Sequence, residues 1–427
     1  MFSLFRSNQD KKLRHDADNW LRLAEKVYHY RRDLLSDREL QELVQTTTDL
    51  RETLKNKEVE GGKIKLAVDR LEEVIRRVGG SYYPKSALAE NVEVLLIAAI
   101  LAIGIRTYFI QPFKIPTNSM MPTYYGMTAD VFVEPGDEPG VLRSGLRTLF
   151  FGARGIKIDA ESRGVAELIF DVDSAGRPSG FHHRKVPDRT WFVFPTIKKE
   201  YTILVNGRPH AFRVPVDFQV ESIFHEVFFP GYETLGHAVN DMRQRGRYRI
   251  TGQNDRMYME TEREVSPGDR LLAFDILTGD QLFVDRMSYH FKRPSVGESF
   301  VFRTGDIPAL SGPDGADSYY IKRLVGQEGD RLEVREPYLY RNGEPIDSRE
   351  VFERIHEGEG KYDGYKALGL LEPGAEIEVN ENAYFAMGDN SGNSLDSRNF
   401  GFVPAHAVVG RPIMIYYPFT SRWGRAR

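Results

Sequence analysis

Apolar and polar positions alternate at the period of an α-helix through the first 80 residues of the chain. One apolar stripe, with intervals of three and four residues, comprises Trp20, Leu23, Ala24, Val27, Tyr30 and Leu34. Such spacing places side chains on one helical face. Ser36 and Glu39 have capping-box spacing and predict the start of a second helix. After Gly61-Gly62 a further stripe comprises Ile64, Val68, Leu71, Ile75 and Val78. Residues 1–90 are therefore predicted to form a helical arm.

A long apolar segment follows this arm. Residues 94–105 carry no charge, and Arg106 is the only charged residue between Val94 and Phe113. Twenty helical residues cover about 30 Å, which is the thickness of the hydrocarbon layer of a membrane. Tyr108 and Phe109 suit the membrane–water interface. We therefore predict one transmembrane helix at residues 91–113, and the alternative is a buried core helix of a soluble domain.

The charges that flank this segment predict its orientation. Arg76, Arg77 and Lys85 precede it within twenty residues, whereas Lys114 is the only basic residue in the twenty that follow Phe113. Basic residues are enriched on the cytoplasmic side of membrane spans. The arm is therefore predicted to be cytoplasmic, and the remainder of the chain is predicted to lie on the trans side.

Residues 114–427 have the pattern of antiparallel β-structure. Alternating and β-branched runs are separated by turn-forming residues, and Asn206-Gly207 and Asn342-Gly343 have the composition of two-residue hairpin turns. Only residues 237–245 and 349–356 show helix-like periodicity. The predicted fold class is mainly β, with an antiparallel β-rich domain after a helical N-terminal region and one transmembrane helix.

Composition excludes several classes of function. The 427 residues include 58 Lys and Arg against 62 Asp and Glu, for a formal net charge of −4. This balance argues against a nucleic-acid partner, since such proteins usually carry a positive excess. The chain has no cysteine, which excludes disulfide frameworks, iron–sulfur clusters and a cysteine nucleophile.

Candidate chemistry lies in three separated segments. They are residues 115–123, which contain Ser119, residues 319–326, which contain Lys322, and residues 387–398, which contain Ser394. A serine hydroxyl is a weak nucleophile and needs an adjacent base, which a lysine can provide when its amine is neutral. Spacing alone does not establish such a site, because most serines after proline are turn residues and most lysines on strands are solvated.

Taken together, the three segments resemble the motifs of bacterial type I signal peptidases, also called leader peptidases. These are membrane serine proteases with a Ser/Lys dyad. The first motif is matched by Ser119-Met120-Met121-Pro122-Thr123, and the lysine motif by Tyr320-Ile321-Lys322-Arg323. The last motif is matched from Gly388 to Arg398, followed by Gly401-Phe402-Val403-Pro404. The resemblance covers roughly residues 94–123 and 278–418.

The resemblance implies a catalytic role for two residues and supporting roles for two more. Ser119 is the implied nucleophile and Lys322 the implied general base. Burial against apolar neighbours would lower the pKa of Lys322 from its free value of about 10.4. The implied oxyanion donors are the N–H of Ser119 and Thr117, the latter through its backbone or its hydroxyl. Ser394 matches a serine that orients the lysine amine.

The resemblance also implies a substrate pocket and a supporting loop. Shallow apolar pockets for the small residues of an Ala-x-Ala site are implied at Ile115, Pro116, Tyr320 and Ile321. The implied loop residues are Gly388, Asp389, Asn390, Asp396 and Arg398. We interpret Asp396 and Arg398 as a structural ion pair, and Gly388 as a position where a side chain would crowd the lysine. Neither a metal nor an organic cofactor is implied.

The chain departs from the family pattern between the first two motifs. Typical members have a short connection there, whereas this chain has residues 124–277, which we interpret as an inserted β-rich subdomain. The predicted organisation is thus an arm (1–90), a span (91–113), a catalytic domain (114–123 and 278–427) and the insertion.

The implied function is release of signal peptides from exported preproteins at the bacterial plasma membrane, with the catalytic domain on the periplasmic or extracytoplasmic side. The implied partners are preproteins, the lipid bilayer and the protein export machinery. The alternatives are a membrane-tethered scaffold protein without activity on the same fold, and another Ser/Lys protease such as a self-cleaving repressor. An aspartic signal peptidase of the lipoprotein type needs several spans and is disfavoured.

Overall fold

A computed structural model describes residues 2–56, 59–84, 87–134, 136–190, 194–251, 256–310 and 317–426. The chain divides into two compact units, Met1–Ala102 and Ile103–Arg427. In chain order the helices are α1 Phe2–Arg31, α2 Asp37–Lys55, α3 Gly61–Val78, α4 Ala87–Tyr108, α5 Val141–Phe151, α6 Glu221–Phe228, α7 Leu235–Gln244, α8 Ser288–Phe291, α9 Glu350–His356 and α10 Ser397–Phe400.

The strands fall into two groups along the chain. The first strand and the C-terminal ones are β1 Ile110–Lys114, β12 Gln281–Asp285, β13 Ser299–Arg303, β14 Tyr319–Gln327, β15 Arg331–Arg335, β16 Tyr338–Arg341, β17 Glu344–Pro345, β18 Glu376–Glu378, β19 Ala383–Met387, β20 Val403–Pro404, β21 Val408–Tyr417 and β22 Gly424–Arg425. Those between are β2 Thr128–Val131, β3 Arg154–Asp159, β4 Gly164–Val172, β5 Pro178–Phe181, β6 His183–Thr190, β7 Phe194–Val205, β8 Arg208–Pro215, β9 Tyr248–Thr251, β10 Arg256–Val265 and β11 Arg270–Leu277.

The N-terminal arm is helical, as the apolar stripes predict. Helices α1, α2 and α3 bury a common core that includes Ala24, Val27, Leu43 and Leu71. The Ser36–Glu39 capping box forms at the start of α2. The first stripe is wrong at its C-terminal end, because α1 ends at Arg31 and Tyr30 and Leu34 are exposed.

Helix α4 contains the predicted membrane-spanning segment. Among the described residues, Leu88–Tyr108 is the one helical stretch long and apolar enough to cross a membrane, and none of it is buried. The predicted helix over 91–113 is wrong at its end, since Ile110–Lys114 forms β1 and pairs with β12. Pro112 accounts for this boundary, because proline lacks an N–H and disfavours helical geometry at the residue before it.

The second unit is mainly β, and every pair of strands in its described part is antiparallel. An eight-stranded sheet has the order β1-β12-β21-β13-β14-β19-β20, with β22 on β21, and a smaller sheet has the order β17-β16-β15-β18. Asn206 and Asn342 have positive φ, as do the glycines that follow them, which agrees with the two predicted hairpin turns.

The segment predicted to be an insertion forms two further sheets. Their orders are β6-β7-β4-β10-β9, with β5 on β4 and β8 on β7, and β2-β11-β3. Helix α7 agrees with the predicted periodicity, whereas α5 and α6 were not predicted. Phe224 of α6 contacts the rings of Phe181, Tyr201 and Phe212, so α6 is part of the core of these sheets. The Asp280 N–H donates to the Tyr125 carbonyl at 2.8 Å, which brings the two ends of the segment together.

Candidate active site

Ser119 lies in a loop after β1 whose backbone is held at several points. The Asn118 carbonyl accepts from the Met121 N–H at 3.1 Å, and the Asn118 side-chain oxygen accepts from the Gly126 N–H at 2.9 Å. Asn390 binds the same loop twice, through its N–H to the Ser119 carbonyl and through its side-chain amide to the Asn118 carbonyl, both at 3.1 Å. The predicted supporting role of Asn390 therefore has a direct geometric basis.

Lys322 reaches Ser119 from β14, which is 203 residues further along the chain. The Lys322 Nζ lies 2.5 Å from the Ser119 Oγ. Both side chains are buried, and Lys322 is only 4% exposed. This burial lowers the pKa of Lys322 to about 8, although the carboxylates of Asp396 and Asp389 act in the opposite direction. The amine is thus much easier to deprotonate than that of a lysine in water.

A buried network joins the three motifs behind this pair. Arg323 donates to both carboxylate oxygens of Asp389, at 2.7 and 2.5 Å, and to the Gly297 carbonyl at 2.7 Å. The Thr123 hydroxyl donates to Asp389 at 2.5 Å and lies 3.1 Å from the Tyr362 hydroxyl. The sequence motifs predict a supporting role for Asp389 but none for Arg323 or Thr123. Their buried ion pair and hydrogen bonds fix the serine loop against β14.

Asp396 and Arg398 form a second buried ion pair, as predicted. Arg398 donates to both Asp396 oxygens, at 2.8 and 2.7 Å, and neither side chain is exposed. Asp396 also accepts from the Gly388 N–H at 3.1 Å. Arg398 continues to the Ser391 hydroxyl at 2.8 Å and to the Lys366 carbonyl at 2.7 Å. The pair therefore holds the loop that carries Gly388 and Ser394.

Gly388 lies where a side chain does not fit. A Cβ built on it would lie 2.2 Å from the Ser394 Oγ and 2.4 Å from the Ser119 carbonyl oxygen. The nearest crowding is therefore with Ser394 and the backbone of the serine loop. The Ser394 Oγ is buried and has no hydrogen-bond partner among the residues that the structure describes. The implied bond between Ser394 and the lysine amine is thus not formed here, although Ser394 is next to Gly388 in the same loop.

An open cleft of about 700 Å³ runs past Ser119 and Lys322. All four predicted pocket residues line it, namely Ile115, Pro116, Tyr320 and Ile321, and so does Thr117, which is exposed. Ile115 is buried beside the loop and donates its N–H to the Asp280 carbonyl at 2.8 Å. The structure therefore brings the predicted nucleophile, base and pocket together in one place.

Two residues of this cleft come from the segment predicted to be an insertion. Asp217 and Gln219 lie between β8 and α6 and line the same cleft as the motif residues. Burial and, to a smaller extent, the Asp217 carboxylate raise the pKa of Tyr320, which reflects the proximity of the two side chains. No sequence signal pointed to Asp217 or Gln219, because neither belongs to a motif. Among the described residues, no group of three His, Cys, Asp or Glu side chains could hold a metal ion.

Comparisons with known proteins identify the same part of the chain. Residues 273–417 match the model of the family described as signal peptidase, peptidase S26. A probable signal peptidase I-1 of Synechocystis is 31% identical over 37% of this chain and 72% of its own length. Signal peptidase I S of Bacillus subtilis is 32% identical over 34% of this chain and 77% of its own length.

One further sequence relative and one solved structure are similar to the chain. Signal peptidase I of Bacillus licheniformis is 34% identical over 34% of this chain and 70% of its own length. A crystal structure of a signal peptidase I from Enterococcus faecalis aligns with 28% of this chain and 97% of that chain, with 27% identity and a TM-score of 0.22. Each sequence match covers most of the relative but only about a third of this chain. On the strength of these sequence relatives, the chain belongs to the signal peptidase I family of membrane-associated serine endopeptidases.

Proposed function

We propose that Ser119 and Lys322 carry out the signal peptidase reaction in this protein. The neutral Lys322 amine removes the proton of the Ser119 hydroxyl as the oxygen attacks the scissile carbonyl. The resulting ammonium then protonates the departing amine, and the mature protein leaves. Lys322 next deprotonates a water molecule, which hydrolyses the acyl-enzyme and releases the signal peptide. The 2.5 Å separation of the two side chains is the observation that carries this proposal.

The tetrahedral intermediate needs hydrogen-bond donors at its oxyanion. We assign this role to the Ser119 N–H and to Thr117, which lines the cleft two residues before the nucleophile. Asn390 supports the assignment indirectly. Its hydrogen bonds to the carbonyls of Asn118 and Ser119 hold the backbone of the serine loop in place. Ser394 is proposed to orient the lysine amine once substrate is bound, since its buried hydroxyl is available for a new hydrogen bond.

The cleft suits an extended peptide with small side chains near the scissile bond. Ile115, Pro116, Tyr320 and Ile321 line the cleft with largely apolar side chains. Such a lining fits the small residues of an Ala-x-Ala site. A signal peptide bound in this way would lie extended and pair with an exposed strand edge. Its scissile bond would then lie beside the Ser119 hydroxyl.

We also propose a single-pass topology. Helix α4 is the span, the arm that precedes it is cytoplasmic, and the catalytic unit lies on the extracytoplasmic side, where it meets preproteins delivered by the export machinery. The flanking basic residues support this orientation. The chain has no cysteine, so introduced cysteines can test it. In intact cells, a membrane-impermeant thiol reagent should label Ser174→Cys but not Lys65→Cys, and the reverse result would contradict the orientation.

The direct test of the catalytic assignment is cleavage of a preprotein by the detergent-solubilised full chain. Wild-type protein should produce mature product, whereas Ser119→Ala and Lys322→Ala should not. Ser174→Ala and Lys65→Ala are matched controls at exposed positions and should retain activity. Cleavage by both site variants would place the chemistry elsewhere in the chain. Inactivity of the folded wild-type protein towards several preproteins would favour the scaffold alternative.

A further inference from the structure

Helix α5 has its apolar side towards solvent and a polar side towards the protein. Val141 and Leu142 are 94% and 80% exposed, and Leu146, Leu149 and Phe150 are exposed as well. Leu142, Leu146 and Leu149 are spaced by four and three residues and therefore share one helical face. None of the eleven residues of α5 is buried. A surface helix of a soluble domain has the opposite arrangement, with its apolar side in the core.

A central arginine attaches the helix to the rest of the unit. Arg147 donates to Asp275 of β11 at 2.8 Å and to Asp130 of β2 at 2.6 Å, and its side chain is only 15% exposed. The inward orientation of Arg147 fixes the outward orientation of the leucines. The exposure of the apolar face is thus a consequence of two ion pairs, and rotation of α5 would break them.

Aromatic residues of the C-terminal segment extend this apolar surface. Phe419 packs edge-on against Phe150 with ring centroids 6.1 Å apart, and Trp423 packs against Phe419 at 6.2 Å. Both Phe419 and Trp423 are half exposed. We call the set of Val141, Leu142, Leu146, Leu149, Phe150, Phe419 and Trp423 the α5 patch. A contiguous apolar surface of this kind marks a site of contact with a membrane or a partner.

The α5 patch is connected to the segment that leaves the predicted membrane span. Tyr108, Phe109 and Ile110 are exposed at the end of α4, and Ile110 begins β1. Across the sheet, Phe283 of β12 stacks on Tyr416 of β21 at 4.3 Å, and β21 runs directly into the aromatic part of the patch. Exposed and partly exposed apolar groups thus continue from the end of the span, across three adjacent strands, to α5.

We propose that the α5 patch lies in the interfacial region of the lipid bilayer, with α5 parallel to the membrane plane. Amphipathic helices of this type bury their apolar face about 5–10 Å into the headgroup and acyl boundary. Tryptophan and other aromatic residues suit that depth. Arg143 and Arg425 are exposed beside the patch and can contact lipid phosphates. Continuity with the span favours lipid over a second copy of the chain or another protein.

Through this contact the inserted segment would help to position the catalytic unit on the membrane. Ile110 lies at one end of β1, and the α5 patch lies beyond the other end of that strand. A bilayer that touches both must therefore run along the strands of the eight-stranded sheet. The cleft would then be held at a fixed height above the lipid surface. The proposal does not depend on the assignment of Ser119 and Lys322, because it concerns only the position of the unit on the membrane.

Introduced cysteines in the full chain test the proposal without background labelling, since the chain has none. Leu142→Cys and Leu149→Cys report on the patch. Ser174→Cys, in an exposed turn, and Ile250→Cys, at an exposed apolar position of β9, are the controls. Each variant carries a fluorescent thiol label and is reconstituted into phospholipid vesicles. Quenching by spin-labelled lipid is compared with quenching by iodide in the external buffer.

The expected result is several-fold stronger quenching by spin-labelled lipid at Leu142→Cys and Leu149→Cys than at the two controls, with weaker quenching by iodide. Equal quenching at all four positions would overturn the proposal. Protection of the patch from iodide without quenching by lipid would also overturn it, because a second copy or another protein would then cover α5. All four positions are exposed, so the substitutions and labels do not disturb the core.

Discussion

The burial of Lys322 makes a quantitative prediction for the pH dependence of catalysis. Burial lowers the pKa of Lys322 from 10.5 to about 8. At pH 7 a lysine with the ordinary pKa is neutral in only about 0.03% of molecules, whereas a pKa of about 8 gives a neutral fraction of about 9%. The fold therefore increases the population of the active base about 300-fold, which corresponds to about 3 kcal/mol.

The assay is kcat/KM for a short peptide with an Ala-x-Ala site, measured from pH 5.5 to 10 with the detergent-solubilised full chain. Because the neutral amine is the active form, kcat/KM should rise about tenfold per pH unit below pH 7 and level off above about pH 8 to 9. Ser119→Ala supplies the background rate. Lys322→Arg should remain inactive at every pH, since a guanidinium does not lose its proton in this range.

Two results would refute this reasoning. A flat profile between pH 6 and 9 would mean that Lys322 does not titrate in the rate-determining step. A value of kcat/KM that continues to rise beyond pH 10 would mean that the pKa of Lys322 stays near its ordinary value. Burial would then not activate the base.

Three further predictions follow from the same geometry. Lys322→Met should raise the free energy of unfolding by up to about 3 kcal/mol below pH 8, because it removes a buried ammonium. Chemical denaturation should show that this difference from the wild-type protein vanishes as the pH approaches 10.5. Gly388→Ala should reduce kcat/KM about 100-fold without unfolding, since its methyl group displaces the Ser394 side chain; near-normal turnover would show that the loop is not tightly constrained. Asp217→Lys should change the ratio of kcat/KM between peptides with Lys and peptides with Glu beside the cleavage site about fivefold. Glu233→Lys, which lies outside the cleft, should leave this ratio unchanged.

Residues in ordered motifs were predictable from the sequence. Ser119, Lys322 and the four pocket residues lie in short sequence motifs, and each motif can be recognised from a few consecutive residues. The capping box of α2 and the Asn-Gly hairpins were predictable for the same reason, since each depends on a few consecutive residues. The mainly β class followed from alternation along many strands.

Features that depend on contacts between distant segments were not predictable. The apolar run to Phe113 continues past the end of the helix, because residues 110–114 form the strand β1 and pair with β12, and hydropathy alone does not distinguish such a strand from a helical continuation. Asp217 lines the same cleft as Tyr320 although the two residues are far apart in the sequence, so only the tertiary structure brings them together. The Ser394 hydroxyl has no hydrogen-bond partner in the described part of the chain, although its position in the motif is clear, because a motif does not specify the orientation of a hydroxyl.

Ser119 and Lys322 are separated by 203 residues, although the Ser119 Oγ and the Lys322 Nζ are 2.5 Å apart. At a synthesis rate of about 5–20 residues per second, roughly 10–40 s pass between the emergence of Ser119 and that of Lys322 from the ribosome. During this interval the chain contains Ser119 but not yet Lys322, so the proposed dyad can be complete only after the inserted segment has been synthesised.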